Sequence, residues 1–293
     1  MKVLVSAFRF LVFSNIYISI CTVAFTAKTS LLLYGNCGDW KVNILIFFAT
    51  VFLYCFHRLY NRGKMIPEER REERHHWADE HSVIFIAITI TSFVCVAILM
   101  FFMPLRVWVL LIPVAVLGLG YSLPFIPSRR GFLRLRDLSW LKALWIALAF
   151  GWITTLIPVV FQTSIHNLLD IQVLFVFLRS ILFILVLVIP FDIRDLQHDV
   201  KNGMKTIATL LGPAKSVLLA YFLLFVFSSL VLIQFTYYQL SSKIAITLLI
   251  SGVEVYIVVP LSKKPKPDLF YSLAIESSMI FHFVVLFIAI KLF

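Results

Sequence analysis

The stretch FDIRDLQHDVKNGMKTIATLLG, residues 191–212, lies where one long apolar run of the chain ends and shortly before another begins. It carries three acidic residues, Asp192, Asp195 and Asp199. On an α-helix these positions lie at about 0°, 300° and 340° around the axis, since successive residues are about 100° apart. If the helix continues past Pro190, a residue that can break helices, the three carboxylates share one face at the mouth of a membrane span.

The apolar runs around this stretch are typical of membrane-spanning helices. The chain has 293 residues, of which 61% are hydrophobic and 14% charged, whereas soluble domains carry about 25% charged residues. A run of about 18 or more apolar residues suggests a transmembrane helix, and nine segments approach or exceed this length. They are Phe10–Ala27, 41–61, Ser82–Leu105, Val107–Ser128, Ala143–Leu169, 171–191, Ser216–Ser242, 244–261 and 269–291.

We therefore predict an all-α, polytopic membrane protein, a bundle of about nine transmembrane helices around a central apolar cavity. Residues 1–293 form one transmembrane domain, because no boundary interrupts the pattern. The polar connections are concentrated in three loops, at about 58–81, 122–142 and 192–215. Chemistry at the membrane surface is expected in these loops.

The net charge of +11 is explained by membrane topology and requires no nucleic-acid partner. Lys and Arg accumulate in the cytoplasmic loops of membrane proteins. With a cytoplasmic N-terminus, 20 of the 26 Lys and Arg residues fall on the cytoplasmic side. The chain is thus predicted to be an integral membrane protein whose C-terminus lies on the opposite side of the bilayer.

The three aspartates form a candidate metal site. Like charges on one helix face repel each other, and a divalent cation would relieve that repulsion. Mg²⁺ prefers oxygen ligands and commonly bridges one or two carboxylates to substrate phosphates. Arg194, at about 200° on the same helical scale, points away from them. The alternative is a solvated helix end, where the carboxylates simply face water.

A second polar cluster ends the predicted span 41–61. On a helix, its members lie within one stripe at the inner membrane face. The stripe suits an anion, because the arginine fork binds phosphate oxygens in pairs. The alternative is that the arginines reach toward the interface and only mark its position. The stripe consists of Tyr54, His57, Arg58, Asn61 and Arg62.

The loop 122–142 adds further basic side chains, among them Arg129 and Arg130. They are candidate phosphate ligands. They also suit anchoring of the loop to anionic lipid head groups at the cytoplasmic surface.

The run D-x-x-D-x-x-x-D at 192–199, followed by Gly203, Thr206 and Gly212, resembles the second aspartate-rich motif of the UbiA-type intramembrane prenyltransferases. The pair Tyr-Ser at 121–122, before a basic loop, is similar to the loop after the fourth helix of that family. Nine helices with polar cytoplasmic loops also match its architecture. The resemblance covers nearly the whole chain.

The resemblance implies a transferase whose partners are an isoprenyl diphosphate, a hydrophobic acceptor and the lipid bilayer. Mg²⁺ held by Asp192, Asp195 and Asp199 would neutralise the leaving diphosphate, and a dry cavity would protect the allylic cation from water. Tyr54 and Tyr121 would face that cation with their rings. The expected diphosphate ligands are Arg58, Arg62, Asn61, Arg129, Arg130 and Lys201.

The chain departs from the family in its first motif, which is N-x-x-x-D-x-x-x-D at the end of the second helix. The matching positions here are Tyr54, Arg58 and Arg62. Arginine does not ligate Mg²⁺, so one ion rather than two is expected, with the arginines binding diphosphate directly. The alternative is a non-catalytic relative that binds an isoprenoid or lipid.

A transporter is the remaining alternative, since ionisable residues inside membrane spans are usually functional or paired. Four such residues lie within the predicted spans: Arg179, Glu254, Glu276 and His282. No inverted repeat of interrupted helices, as many transporters have, is evident in the sequence.

Overall fold

The architecture is helical throughout the bundle. The computed structural model describes residues 2–61, 73–128, 131–135, 141–201 and 203–292. The α-helices are α1 (Lys2–Phe13), α2 (Ile16–Tyr34), α3 (Trp40–Asn61), α4 (Glu73–Glu80), α5 (Ser82–Met100), α6 (Leu105–Ser122), α7 (Lys142–Gly151), α8 (Ile157–Gln162), α9 (Ile171–Arg194), α10 (Leu196–Lys201), α11 (Ile207–Tyr237), α12 (Ser242–Val258), α13 (Asp268–Phe270) and α14 (Ser277–Lys291).

Shorter helical pieces extend several of these helices. Two π-helical segments, Trp152–Leu156 and Tyr271–Glu276, join α7 to α8 and α13 to α14. Two 3₁₀ segments, Ile165–Leu169 and Val259–Lys263, precede α9 and follow α12. Three of the resulting continuous helices, Lys142–Gln162, Ser242–Lys263 and Asp268–Lys291, are long enough to cross a bilayer.

The all-α membrane architecture is confirmed. Eight helical segments of the described chain are long and apolar enough to span a membrane, and Leu105–Tyr121 is a shorter apolar helix. The predicted number of about nine is therefore approximate. The first predicted span, Phe10–Ala27, is misplaced, because Asn15 adopts a left-handed conformation with φ 64°, which Asn tolerates better than most residues. The span that follows this break is Ile16–Tyr34.

Helix α9 carries Asp192, the first of the three aspartates, and lies in the largest hydrophobic cluster, packed against α2, α7 and α11. It begins at Asp170, whose side chain accepts a hydrogen bond from the Gln172 backbone N–H at 2.8 Å. Pro190 lies inside the helix, which continues to Arg194. The helix therefore extends through Asp192, as the shared face of the aspartates requires.

Close helix packing brings α7 against α9. A Cβ added at Gly151 would lie 2.6 Å from Ile181 Cγ1, so only glycine allows this approach. The contact holds the first turn of α7 beside the last turns of α9. By contrast, α5 is mostly exposed, as expected for a helix that faces lipid.

A small hairpin occupies part of the loop 122–142. Strand β1 (Ile126–Ser128) pairs antiparallel with β2 (Gly131–Leu133), and Pro127 lies opposite Phe132. Within the described residues these are the only strands, and the all-α prediction did not include them. Gly120 lies beneath the hairpin, because a Cβ there would be 2.2 Å from Phe125 Cε1.

Replacing Gly212 with alanine should destabilise the protein by about 1–3 kcal/mol, because its φ of 75° and ψ of 164° are nearly restricted to glycine. The residue bends α11 just before Pro213. Thermal unfolding in detergent would measure the change. Gly252→Ala is the matched control, since its new Cβ would meet Phe227 only at 3.8 Å. Helix propensity favours this second substitution, so equal losses would contradict the conformational argument.

Candidate functional site

The three aspartates do converge, and a lysine lies among them. Lys142, the first residue of α7, places its Nζ 3.0 Å from Asp192 Oδ1. The same nitrogen is 3.9 Å from Asp195 Oδ2 and 3.7 Å from Asp199 Oδ2. One ammonium group is thus shared by three carboxylates from the end of α9 and from α10. We refer to these four residues as the aspartate–lysine cluster.

The cluster is enclosed by the protein. The side chains of Asp192 and Asp199 are 1% exposed, and that of Lys142 is 11% exposed. Charges taken out of water are costly unless they are paired. The predicted alternative of carboxylates that face water is therefore wrong for Asp192 and Asp199, whereas Asp195 is 23% exposed.

Arg194 joins the cluster from its outer side. Its Nε donates a hydrogen bond to Asp195 Oδ1 at 2.8 Å, and its Nη1 is 3.8 Å from Asp268 Oδ1. The guanidinium also lies 5.2 Å from the ring centroid of Tyr271. The expectation that Arg194 points away is wrong, because α9 ends at this residue and its long side chain turns back toward Asp195.

The glycine and threonine after the aspartates shape the cluster. Gly203 has φ 65°, a left-handed conformation that reverses the chain after α10. Thr206, 1% exposed, is the residue directly before α11, and its side chain lies within hydrogen-bonding reach of Asp199. Burial raises the pKa of Asp199 above the usual range of a carboxyl, and the positive charge of Lys142 opposes that rise.

Tyr121 connects the cluster to α3. It lies close enough to Lys142 for an electrostatic interaction. Its ring centroid is also 5.2 Å from that of His57. Two residues of the predicted polar regions therefore contact each other across α3 and α6, next to the aspartate–lysine cluster.

Arg58 donates hydrogen bonds to residues at the break between α1 and α2. Its Nη1 donates to the Phe13 carbonyl at 2.9 Å, and its Nη2 donates to Asn15 Oδ1 at 3.1 Å. Its guanidinium also lies 5.5 Å from the ring centroid of Phe85. These contacts stabilise the left-handed turn at Asn15. The role of Arg58 in binding diphosphate stays a prediction.

A small cavity of about 20 Å³ lies beside Arg58. Its polar lining includes Tyr54 and Glu276, so the position predicted for Tyr54 borders a cavity. The π-helical segment Tyr271–Glu276 joins this cavity to the cluster, since its first residue contacts Arg194. The complete lining is Val12, Phe13, Asn15, Ile18, Tyr54, Arg58, Ser272 and Glu276.

The structure does not describe the side chains of four of the remaining predicted ligands. Arg62, Arg129 and Arg130 lie outside the described residues, and Asn61 is described only as the last residue of α3. Lys201 is exposed on α10.

The donor atoms of the cluster suit Mg²⁺ in chemical kind, because they are carboxylate oxygens. The oxygen Asp199 Oδ2 is buried without a hydrogen-bond partner. The space between the carboxylates, however, is taken by the Lys142 ammonium. Across the described ranges no three His, Cys, Asp or Glu side chains are grouped to hold a metal ion.

Sequence reasoning missed Lys142. The excess of Lys and Arg in cytoplasmic loops already explained Lys142 as one of 20 basic residues on that side. A signal was present, because a lysine in the first turn of a helix faces the positive end of the helix dipole. Such a placement indicates that another charge stabilises the residue.

Comparison with known proteins relates the chain to one family. A model of the UbiA prenyltransferase family matches residues 78–283. No curated protein matches the chain.

Solved structures share the fold at low sequence identity. An apo UbiA homologue from Aeropyrum pernix K1 has a TM-score of 0.61 and 14% identity, over 94% of this chain and 95% of that one. A UbiA homologue from Archaeoglobus fulgidus bound to GPP and Mg²⁺ has a TM-score of 0.58 and 12% identity, over 95% and 99%. The same homologue bound to DMAPP and Mg²⁺ has a TM-score of 0.57 and 12% identity, over 97% and 100%.

Proposed function

The chain belongs to the UbiA prenyltransferase family, and from this premise we propose that it transfers a prenyl chain from an isoprenyl diphosphate to a hydrophobic acceptor. The supporting observation is the aspartate–lysine cluster, a buried set of charges at the end of an apolar membrane helix. Such a set suits an amphiphile with a charged head and an apolar tail. Structures of relatives bound to GPP or DMAPP with Mg²⁺ support the same substrate class.

The transfer breaks the bond between the allylic carbon and the diphosphate oxygen, and the diphosphate leaves with the electron pair. The acceptor then forms the new bond to that carbon and loses a proton. In this proposal, Lys142 donates hydrogen bonds to the departing phosphate oxygens. Its position at the membrane entrance would hold the head group while the tail lies between helices.

Aromatic and basic residues complete the proposed site. Tyr54 borders the cavity and Tyr121 lies beside Lys142, so their rings would stabilise the allylic cation. Arg58 and the polar loops would bind the diphosphate. The proposed loop and helix-end ligands are Arg62, Asn61, Arg129, Arg130 and Lys201.

The proposal includes one Mg²⁺, which Asp192, Asp195 and Asp199 would hold and which would neutralise charge on the leaving group. The charge distribution supports a cytoplasmic site, with the N-terminus on the same side and the C-terminus on the other. The cavity of about 20 Å³ beside Arg58 is far smaller than the roughly 300–1,000 Å³ of typical ligand pockets. Donor binding would therefore move side chains or helices apart.

Purified protein should transfer label from radiolabelled geranylgeranyl diphosphate to an acceptor in a lipid extract, and should release diphosphate in step. The Asp192→Asn, Asp195→Asn variant should do neither, because it removes two of the three carboxylates. Asp170→Asn is the matched control, since that exposed cap residue lies at the other end of α9.

The alternatives give different results in the same assay. Geranylgeranyl diphosphate that raises the melting temperature without any transfer of label would indicate a non-catalytic isoprenoid-binding protein. Flux of unchanged substrate into sealed vesicles would indicate a transporter. Either result would reject the transferase proposal.

A further inference from the structure

Lys142 occupies the centre of the aspartate cluster rather than one side of it. Its three distances to carboxylate oxygens fall between 3.0 and 3.9 Å. A lysine that merely approached a surface aspartate would contact one oxygen and keep its end in water. Here the ammonium has entered the space that a shared cation would fill.

Two of the three carboxylates have contacts besides the one with Lys142. Arg194 holds Asp195 at 2.8 Å, and Thr206 holds Asp199. The Asp199 backbone N–H also donates to the Asp195 carbonyl at 2.9 Å. Removal of the lysine side chain would therefore leave Asp195 and Asp199 with contacts of their own, beside the carboxylate of Asp192.

A divalent ion and this ammonium would repel each other strongly at such distances. Repulsion between like charges rises as they approach each other and as water is excluded from around them, and it is stronger for a divalent ion than for a monovalent one. Mg²⁺ also loses its hydration water reluctantly. An ion can therefore reach all three carboxylates only after Lys142 has moved away from them.

We propose that Lys142 is a resident counter-ion of the aspartate cluster, which competes with divalent metal and keeps it out of the ligand-free protein. The inference rests on the proposed function in one respect, namely that the three aspartates are the residues that bind Mg²⁺. It can be tested with metal alone, without donor, acceptor or turnover. Its failure is thus distinguishable from failure of the transferase proposal.

The test is a titration of purified protein in detergent with Mn²⁺, in which electron paramagnetic resonance measures the free ion. Lys142→Met should bind Mn²⁺ at least about tenfold more tightly than the unaltered protein, within the usual range of coupling between sites. Added Mg²⁺ should displace that Mn²⁺. Lys205→Met is the matched control, because it removes an exposed lysine close in sequence to the cluster and should bind as the unaltered protein does.

Equal Mn²⁺ affinity of the unaltered protein and Lys142→Met would overturn the proposal, as would folded Lys142→Met that binds no metal. If that variant does not fold, Lys142→Gln keeps a hydrogen-bonding side chain without the charge and gives the same comparison. The unaltered protein supplies an independent arm. Its melting temperature should rise with Mg²⁺ only at concentrations at least about tenfold above those that Lys142→Met requires, because the ion must first displace the lysine; an equal requirement in the two proteins would also reject competition.

Discussion

Replacing Lys142 with methionine should lower the free energy of unfolding by about 3–5 kcal/mol, the usual cost of leaving a buried charge without its partner. The substitution keeps side-chain length while it removes the only cation within 4 Å of Asp192 and Asp199 among the described residues. Both carboxylates are 1% exposed, so water cannot replace the ammonium. Unfolding by denaturing detergent in mixed micelles would measure the loss.

A double substitution separates this pairing from simple packing. Asp192→Asn added to Lys142→Met should cost less than the sum of the two single changes, since the carboxylate closest to the ammonium, at 3.0 Å, is then already neutral. Residues in direct contact commonly show interaction energies of about 0.5–3 kcal/mol. Strict additivity, or an equal loss in Lys205→Met, would mean that the cluster contributes no specific pairing.

Millimolar Mg²⁺ should restore part of the stability of Lys142→Met, if the ion enters the vacated position. A ligand that binds only the folded state stabilises it by about 2.7 kcal/mol at one hundred times its dissociation constant. A rise in the stability of Lys142→Met on addition of Mg²⁺ would show that the carboxylates bind the ion, and no change would show that they remain unpaired. The three carboxylates are expected to destabilise the fold when they are unpaired, and to stabilise it when either the ammonium group or Mg²⁺ lies among them.

The local features of the site could be predicted from sequence because they depend on residues near each other in the chain. The apolar run before Asp192 predicts the long helix, and helical periodicity predicts the shared face of the three aspartates. Gly203 and Thr206 likewise have the positions that their residue types favour, one in a left-handed turn and one as a helix cap.

The pairing of the site could not be predicted, because it depends on packing between distant segments. Lys142 lies beside Asp192 because α7 packs against α9, and Gly151 at the other end of α7 favours that close approach. Arg58 donates a hydrogen bond to Asn15. The left-handed conformation of Asn15 interrupts an apolar segment that is continuous in the sequence. In both cases the charge is visible in the sequence, and its partner is not.

Lys28 is the opposite case, a buried lysine with no carboxylate near it. It is 2% exposed in the middle of α2, and its Nζ donates to Ser180 Oγ at 2.8 Å. Arg179, 3% exposed, adds a second positive charge whose interaction with Lys28 is repulsive. Among the described side chains no ion pair forms with either cation. Charge inside a membrane span is costly unless it is paired.

Lys28→Met should therefore raise the free energy of unfolding by about 2 kcal/mol, as replacement of buried charge by apolar groups often does. Ser180 stays satisfied, because it also donates to the Val176 carbonyl at 2.7 Å and accepts from Thr155 at 3.2 Å. The methionine sulfur would replace the ammonium over the Phe25 ring, now 3.9 Å away, with a favourable contact of its own. Lys291→Met, at an exposed position, should change little. Destabilisation by Lys28→Met would contradict this prediction, and would mean that the contacts of the ammonium with Ser180 and Phe25 outweigh the cost of its burial.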